Sequence, residues 1–236
     1  MHALSISFNI MAKEVNLHYV YKNRSIKFKK EVVTACWDVW YISRNCLAGL
    51  HIARDSYSPS FSLTQNWLSD LGGMSYASFF NVSRPVVNSP TTEILMRSQF
   101  IITGILTIVF SLGLFFDDDT PSHRLGAVLA ILGAGAFSAA GIFPEPIAVP
   151  HLVVAYATFL LVPTAMLLIG GALVDAPHKR LGGLSIALGI IALVGTSFVS
   201  YGRGVAQLVL TLAIVVWTVI FSVRMVWHAS HQVELT

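Results

Sequence analysis

Five runs free of charged residues and histidine dominate the chain after its first hundred residues: 98–116, 125–144, 152–174, 181–202 and 204–223. A bilayer-crossing helix needs about 20 consecutive apolar residues, and each run meets or approaches that length. None carries the polar stripe of a helix that packs on one side and meets water on the other. Their Gly, Ala and Ser content, as in "LGAVLAILGAGAFSAAG" and "LGGLSIALGIIALVG", suits close approach of helices in lipid. With flanking residues, the predicted spans are about 95–116, 125–144, 152–174, 181–201 and 204–227.

A sixth, weaker span covers 32–53, "VVTACWDVWYISRNCLAGLHIA", which holds Asp38, Arg44 and His51. A central Asp or Arg costs about 2.5–3.5 kcal/mol on insertion. Asp38 and Arg44 also lie too far apart around a helix to neutralise each other on one face. Three readings stay open: a span shielded by the bundle, an interfacial helix, or a stretch ahead of the natural start. The expectation is an all-α, polytopic membrane helical bundle of six spans, five strong and one weak. A poorly ordered tail fills 1–30, and the membrane domain covers 31–228 with an outer loop at 54–93. A second tail runs over 229–236.

The pattern repeats internally. "DTPSHRLGAVLAILG" begins at Asp119 and "DAPHKRLGGLSIALG" at Asp175, and Asp, Pro, Arg, Leu and two glycines recur at one offset of 56 residues. The unit is a helical hairpin, so the copies enter the membrane from the same side. The repeat is therefore parallel, unlike the inverted repeats of many ion-coupled transporters.

Composition supports the membrane class. Of the 236 residues, 55% are hydrophobic and 11% charged, against about 25% charged in soluble domains. The net charge of +3 sits in short clusters at span ends rather than on one basic face, which argues for membrane orientation and against nucleic acid. Placing both repeat loops inside, with 32–53 as a span, puts ten Lys and Arg on the cytoplasmic side and four outside. Both termini are then cytoplasmic in a multi-pass protein of the cell membrane. Cys36 and Cys46 form no CxxC pair, so neither a zinc site nor a disulfide framework is indicated.

The five strong spans lack the mid-membrane ionisable groups of pumps and ion-coupled carriers. No facing histidines suggest haem, and no cofactor or metal is expected. The triple acid Asp117, Asp118 and Asp119 reads as a solvated loop before a divalent-ion site. No hydrolase, zinc-protease or P-loop motif is present. Polar groups gather instead at the outer ends. The candidate ligand-binding cluster is Ser69, Asp70, Arg97, Glu145, His151, Tyr201 and Arg203. "FSLTQNWLSDLGG" is expected to form a short helix with Phe61, Thr64, Trp67, Leu68 and Leu71 on one face and Gly72 as its cap. Asp70 in its last turn would then meet the negative end of the helix dipole and need Arg97 or Arg203 as a partner.

"YSPSFSLTQNWLSDLGG", "NSP" at 88–90 and "GIFPE" at 141–145 followed by His151 resemble the small prokaryotic membrane proteins grouped as domain of unknown function 998. The resemblance runs from Tyr57 to Val226. Ser69, Asp70, Leu71, Gly72, Phe143, Pro144 and His151 match the family pattern. Two features depart from it: the charges in 32–53, and Leu208 where an Arg is expected. The resemblance implies a six-span architecture and no particular activity. The functional expectation is a non-catalytic membrane protein, either a subunit or a binder of a lipid or small amphiphile at the outer leaflet. A membrane enzyme or transporter using the outer cluster is the alternative.

Overall fold

The structure is a computed structural model that describes residues 61–73, 88–174, 178–197 and 202–233. The weak span 32–53, the tail 1–30 and Tyr201 lie outside the described residues. Five helices carry the fold: α1 (Pro90–Phe115), α2 (Pro121–Ile142), α3 (Ala148–Val174), α4 (Lys179–Ser197) and α5 (Arg203–Val233). All five contain a stretch long and apolar enough to cross a bilayer, so the five strong spans of the sequence are five helices of a membrane bundle.

Local sequence sets the helix starts. Ser89 accepts the Thr92 backbone N–H at 3.2 Å and Pro90 takes the first turn, so α1 begins before the charge-free run. Proline is favoured there because its missing N–H has no intrahelical partner anyway. Thr120 and Pro121 open α2 in the same order.

Sequential helices run antiparallel. Arg97 of α1 reaches Gly141 of α2, whereas Gly104, further along α1, lies against Ala134 and Ser138. Ser185 of α4 donates to the Met166 carbonyl of α3 at 2.7 Å and accepts from Trp217 Nε1 of α5 at 2.8 Å. One polar thread therefore joins three helices. The ring closes by a parallel contact of α5 with α1. Phe110 packs edge-on to Trp217 with centroids 5.5 Å apart, and Arg224 pairs with Asp117 at 2.7 Å.

The repeated glycines explain how the middle helices come so close. A Cβ on Gly126 would lie 2.7 Å from Ile169, and one on Gly133 would lie 2.6 Å from Val162. On Gly182 it would lie 2.7 Å from the Gly170 carbonyl, and on Gly189 3.0 Å from Leu167. Both copies thus face α3. The stripes they meet, Val162–Ile169 and Leu167–Gly170, are neighbouring faces of that helix. Large apolar side chains such as Val153, Tyr156, Leu160, Ile190 and Val194 point outward, as lipid requires and water would penalise.

Candidate functional site

Residues 61–73 form a cap over one end of the bundle. A five-residue 3-10 turn spans Leu68–Gly72, with Trp67 before it and Gly73 after it. Asp70 is its third residue. The Asp70 Oδ2 accepts the Trp67 backbone N–H and the Asn66 amide, each at 3.2 Å. Asn66 in turn accepts the Ser62 N–H at 3.0 Å.

This corrects the sequence expectation. A longer helix would have put Asp70 in its last turn, but the 3-10 turn is so short that the carboxylate folds back onto the turn's own positive end. Gly73, in extended backbone, ends the turn in place of Gly72. Among the described residues no Arg pairs with Asp70. Arg97 Nε donates to the Gly141 carbonyl at 3.1 Å, and Arg203 opens α5. Asp70 is fully buried, and its Oδ1 has no hydrogen-bond partner among the described residues.

The cap is seated by contacts distant in sequence. Asn88, beside the Ser89 cap of α1, donates to the Asp70 carbonyl at 2.6 Å. Ser69 Oγ donates to Glu145 Oε1 at 3.0 Å. Gln207 of α5 accepts the Leu68 N–H through Oε1 at 2.7 Å, and the Val205 N–H reaches the Leu63 carbonyl at 3.2 Å. Gly204 permits that approach, because a Cβ there would sit 2.7 Å from the Asn66 carbonyl oxygen.

His151, in the first turn of α3, completes the end. Its Nδ1 lies 2.7 Å from the Phe143 carbonyl. A carbonyl only accepts, so Nδ1 carries the proton and Nε2 keeps its lone pair. Among the described residues nothing bonds that Nε2.

Beneath the cap lies a cavity of about 340 Å³. Its polar pole is Ser69, Glu145, His151 and Gln207, and its deeper walls include Phe100, Phe137 and Leu210. Tyr156 and Leu160 line it too, although each is 58% exposed on the outward face of α3. The cavity therefore reaches the outward face of α3 at these two residues. No Lys or Arg lines it among the described residues.

Of the sequence-predicted cluster, the structure brings Ser69, Glu145 and His151 to one wall. Asp70, Arg97 and Arg203 are not among the cavity's lining residues. Gln207 and Trp67 also line the cavity and were missing from the expected cluster. A single amide within an apolar run was the available signal for Gln207.

At the opposite end, the acidic loop is internally satisfied. Asp117 pairs with Arg224 and Asp119 with Arg124. Asp118 accepts the Thr120 N–H at 2.8 Å, a bond that holds its carboxyl below the usual range. No group of three or more metal-ligating side chains occurs among the described residues.

No curated protein and no solved structure matches the chain. The family model described as Protein of unknown function (DUF998) matches residues 47–224. That interval holds the cap, all five apolar runs and every described residue of the cavity pole. Over most of its length, then, the chain belongs to the DUF998 family of membrane proteins whose function is unknown.

Proposed function

We propose that the protein is a non-catalytic binder of a lipid or small amphiphile, held in the cavity beneath the cap. The observation that carries this reading is that Tyr156 and Leu160, exposed on α3, also line the cavity, which we read as an opening through the side of the bundle. A site that opens toward the hydrocarbon region takes its ligand from the bilayer. Apolar walls with a few convergent polar groups suit a chain with a head. The excess of Lys and Arg at the other end favours an orientation with the cap at the outer leaflet of the cell membrane and the repeat loops in the cytoplasm.

Native mass spectrometry of the protein released from mild detergent tests this. The wild type is expected to carry a bound amphiphile. Ala155→Trp, which places a large ring on the cavity wall, is expected to lose it. A wild type free of adducts, or an unchanged adduct in Ala155→Trp, would count against the binder reading.

One observation favours the alternative of a membrane enzyme. His151 holds a fixed tautomer with Nε2 unbonded, which is the state of a general base. Against it, the Ser69 hydroxyl donates to Glu145, so that hydroxyl of the polar pole is already engaged.

A further inference from the structure

We infer that the occupant is a single-chain amphiphile whose head is uncharged and bears a hydroxyl group; this rests on the binder reading above. Three features of the cavity lead to it.

The first is charge. No guanidinium or ammonium lines the cavity among the described residues, while Glu145 stands on its polar wall. Asp70, next to Ser69 in the chain, is fully buried, and among the described residues no cation pairs with it. A phosphate or carboxylate head would meet no Lys or Arg among the described lining residues. Buried charges are tolerated only when paired.

The second is the hydrogen-bond inventory. His151 Nδ1 is spent on the Phe143 carbonyl, so Nε2 can only accept. Gln207 Oε1 is spent on the Leu68 N–H, so the Gln207 amide nitrogen can only donate. A head that serves both must donate once and accept once. A hydroxyl does this. A phosphate diester or carboxylate only accepts and leaves His151 unserved, and an ammonium only donates and leaves the Gln207 amide unserved.

The third is size. A volume of about 340 Å³ stands at the small end of the range for drug-sized ligands, roughly 300–1,000 Å³. Space of that order takes one hydrocarbon chain, and a second chain would have to lie outside in the bilayer.

Trp67 lines the cavity and supplies the readout. In nanodiscs, the protein is titrated with four amphiphiles that share one brominated chain and differ in head: a monoacylglycerol, a free carboxylate, a lysophosphatidate and a primary amine. Trp67→Phe identifies the part of the quenching that comes from the cavity. The monoacylglycerol is expected to quench Trp67 and to bind at least about tenfold more tightly than the other three. Gln207→Glu keeps an acceptor for the Leu68 N–H but removes the donor. It is expected to weaken monoacylglycerol binding by about tenfold. A charged head that binds as tightly as the monoacylglycerol, or an unmoved affinity in Gln207→Glu, overturns the head assignment and leaves the binder reading standing. Absence of Trp67 quenching by all four overturns both.

Discussion

Ser69 and Glu145 stand 76 positions apart in the chain and 3.0 Å apart in space. Their bond ties the cap to the turn between α2 and α3, at the rim of the cavity. Both residues are nearly inaccessible to solvent, so the hydroxyl replaces water as the donor to that carboxylate. Ser69→Ala removes the donor and leaves a buried carboxylate oxygen one bond short. A loss of about 1.5–3 kcal/mol is expected, read as a lowered thermal midpoint in detergent. Ser69→Thr, which keeps the hydroxyl, should recover most of it.

Asp70 acts as a local cap, and its bonds predict an asymmetry between two substitutions. Asp70→Asn can still present one oxygen to the Trp67 N–H and the Asn66 amide, so a change within about 1 kcal/mol is expected. Asp70→Leu strands both donors in a buried place and should cost about 2 kcal/mol or more. If Asp70→Asn proved as damaging as Asp70→Leu in the same unfolding assay, the negative charge itself would be required.

Two glycines give a matched steric test. A Cβ at Gly204 would meet the Asn66 and Leu63 carbonyl oxygens at 2.7 and 2.8 Å. Gly204→Ala must therefore lift the cap off α5, with about 1–3 kcal/mol of destabilisation. Nothing lies within 4 Å of a Cβ at Gly135, and Gly135→Ala should be neutral or stabilising by up to about 1 kcal/mol. Thermal unfolding of the two variants side by side checks the pair.

The thread through Ser185 predicts a core defect. Ser185→Ala leaves the Trp217 indole N–H buried without its acceptor, at an expected cost of about 1–3 kcal/mol. The loss should be larger than that of Thr164→Ala, whose hydroxyl bonds only its own helix at an exposed position. Unfolding midpoints of the two alanine variants decide this.

What the sequence made legible follows from the range of each interaction. The five helices were readable because lipid solvation acts on every residue of a run, and charge-free length records it directly. The early start of α1 was also written in the chain, in Ser89 and Pro90, but a scan for charge-free residues passes over Glu93 and Arg97. The partner of Asp70 was misjudged for a different reason. Its bonds lie three and four residues away in a turn only five residues long, and periodicity cannot distinguish that turn from a longer helix. Arg97 looked available because nothing in the sequence shows that the Gly141 carbonyl will take it. The cavity was beyond reach altogether, since an empty volume depends on side-chain sizes summed over several helices.

The repeat loops bear on how the chain could be divided. A repeated hairpin ordinarily suggests two equivalent halves that can be severed, exchanged or expressed apart. Here Gly126 and Gly133 of the first copy and Gly182 and Gly189 of the second all rest on α3, which belongs to the first copy alone. A cut between Val174 and Lys179 would separate the surfaces that the second pair of glycines exists to join. The repeat of the sequence and the packing of the helices thus follow different seams, and α3 is the helix against which both pairs of glycines rest.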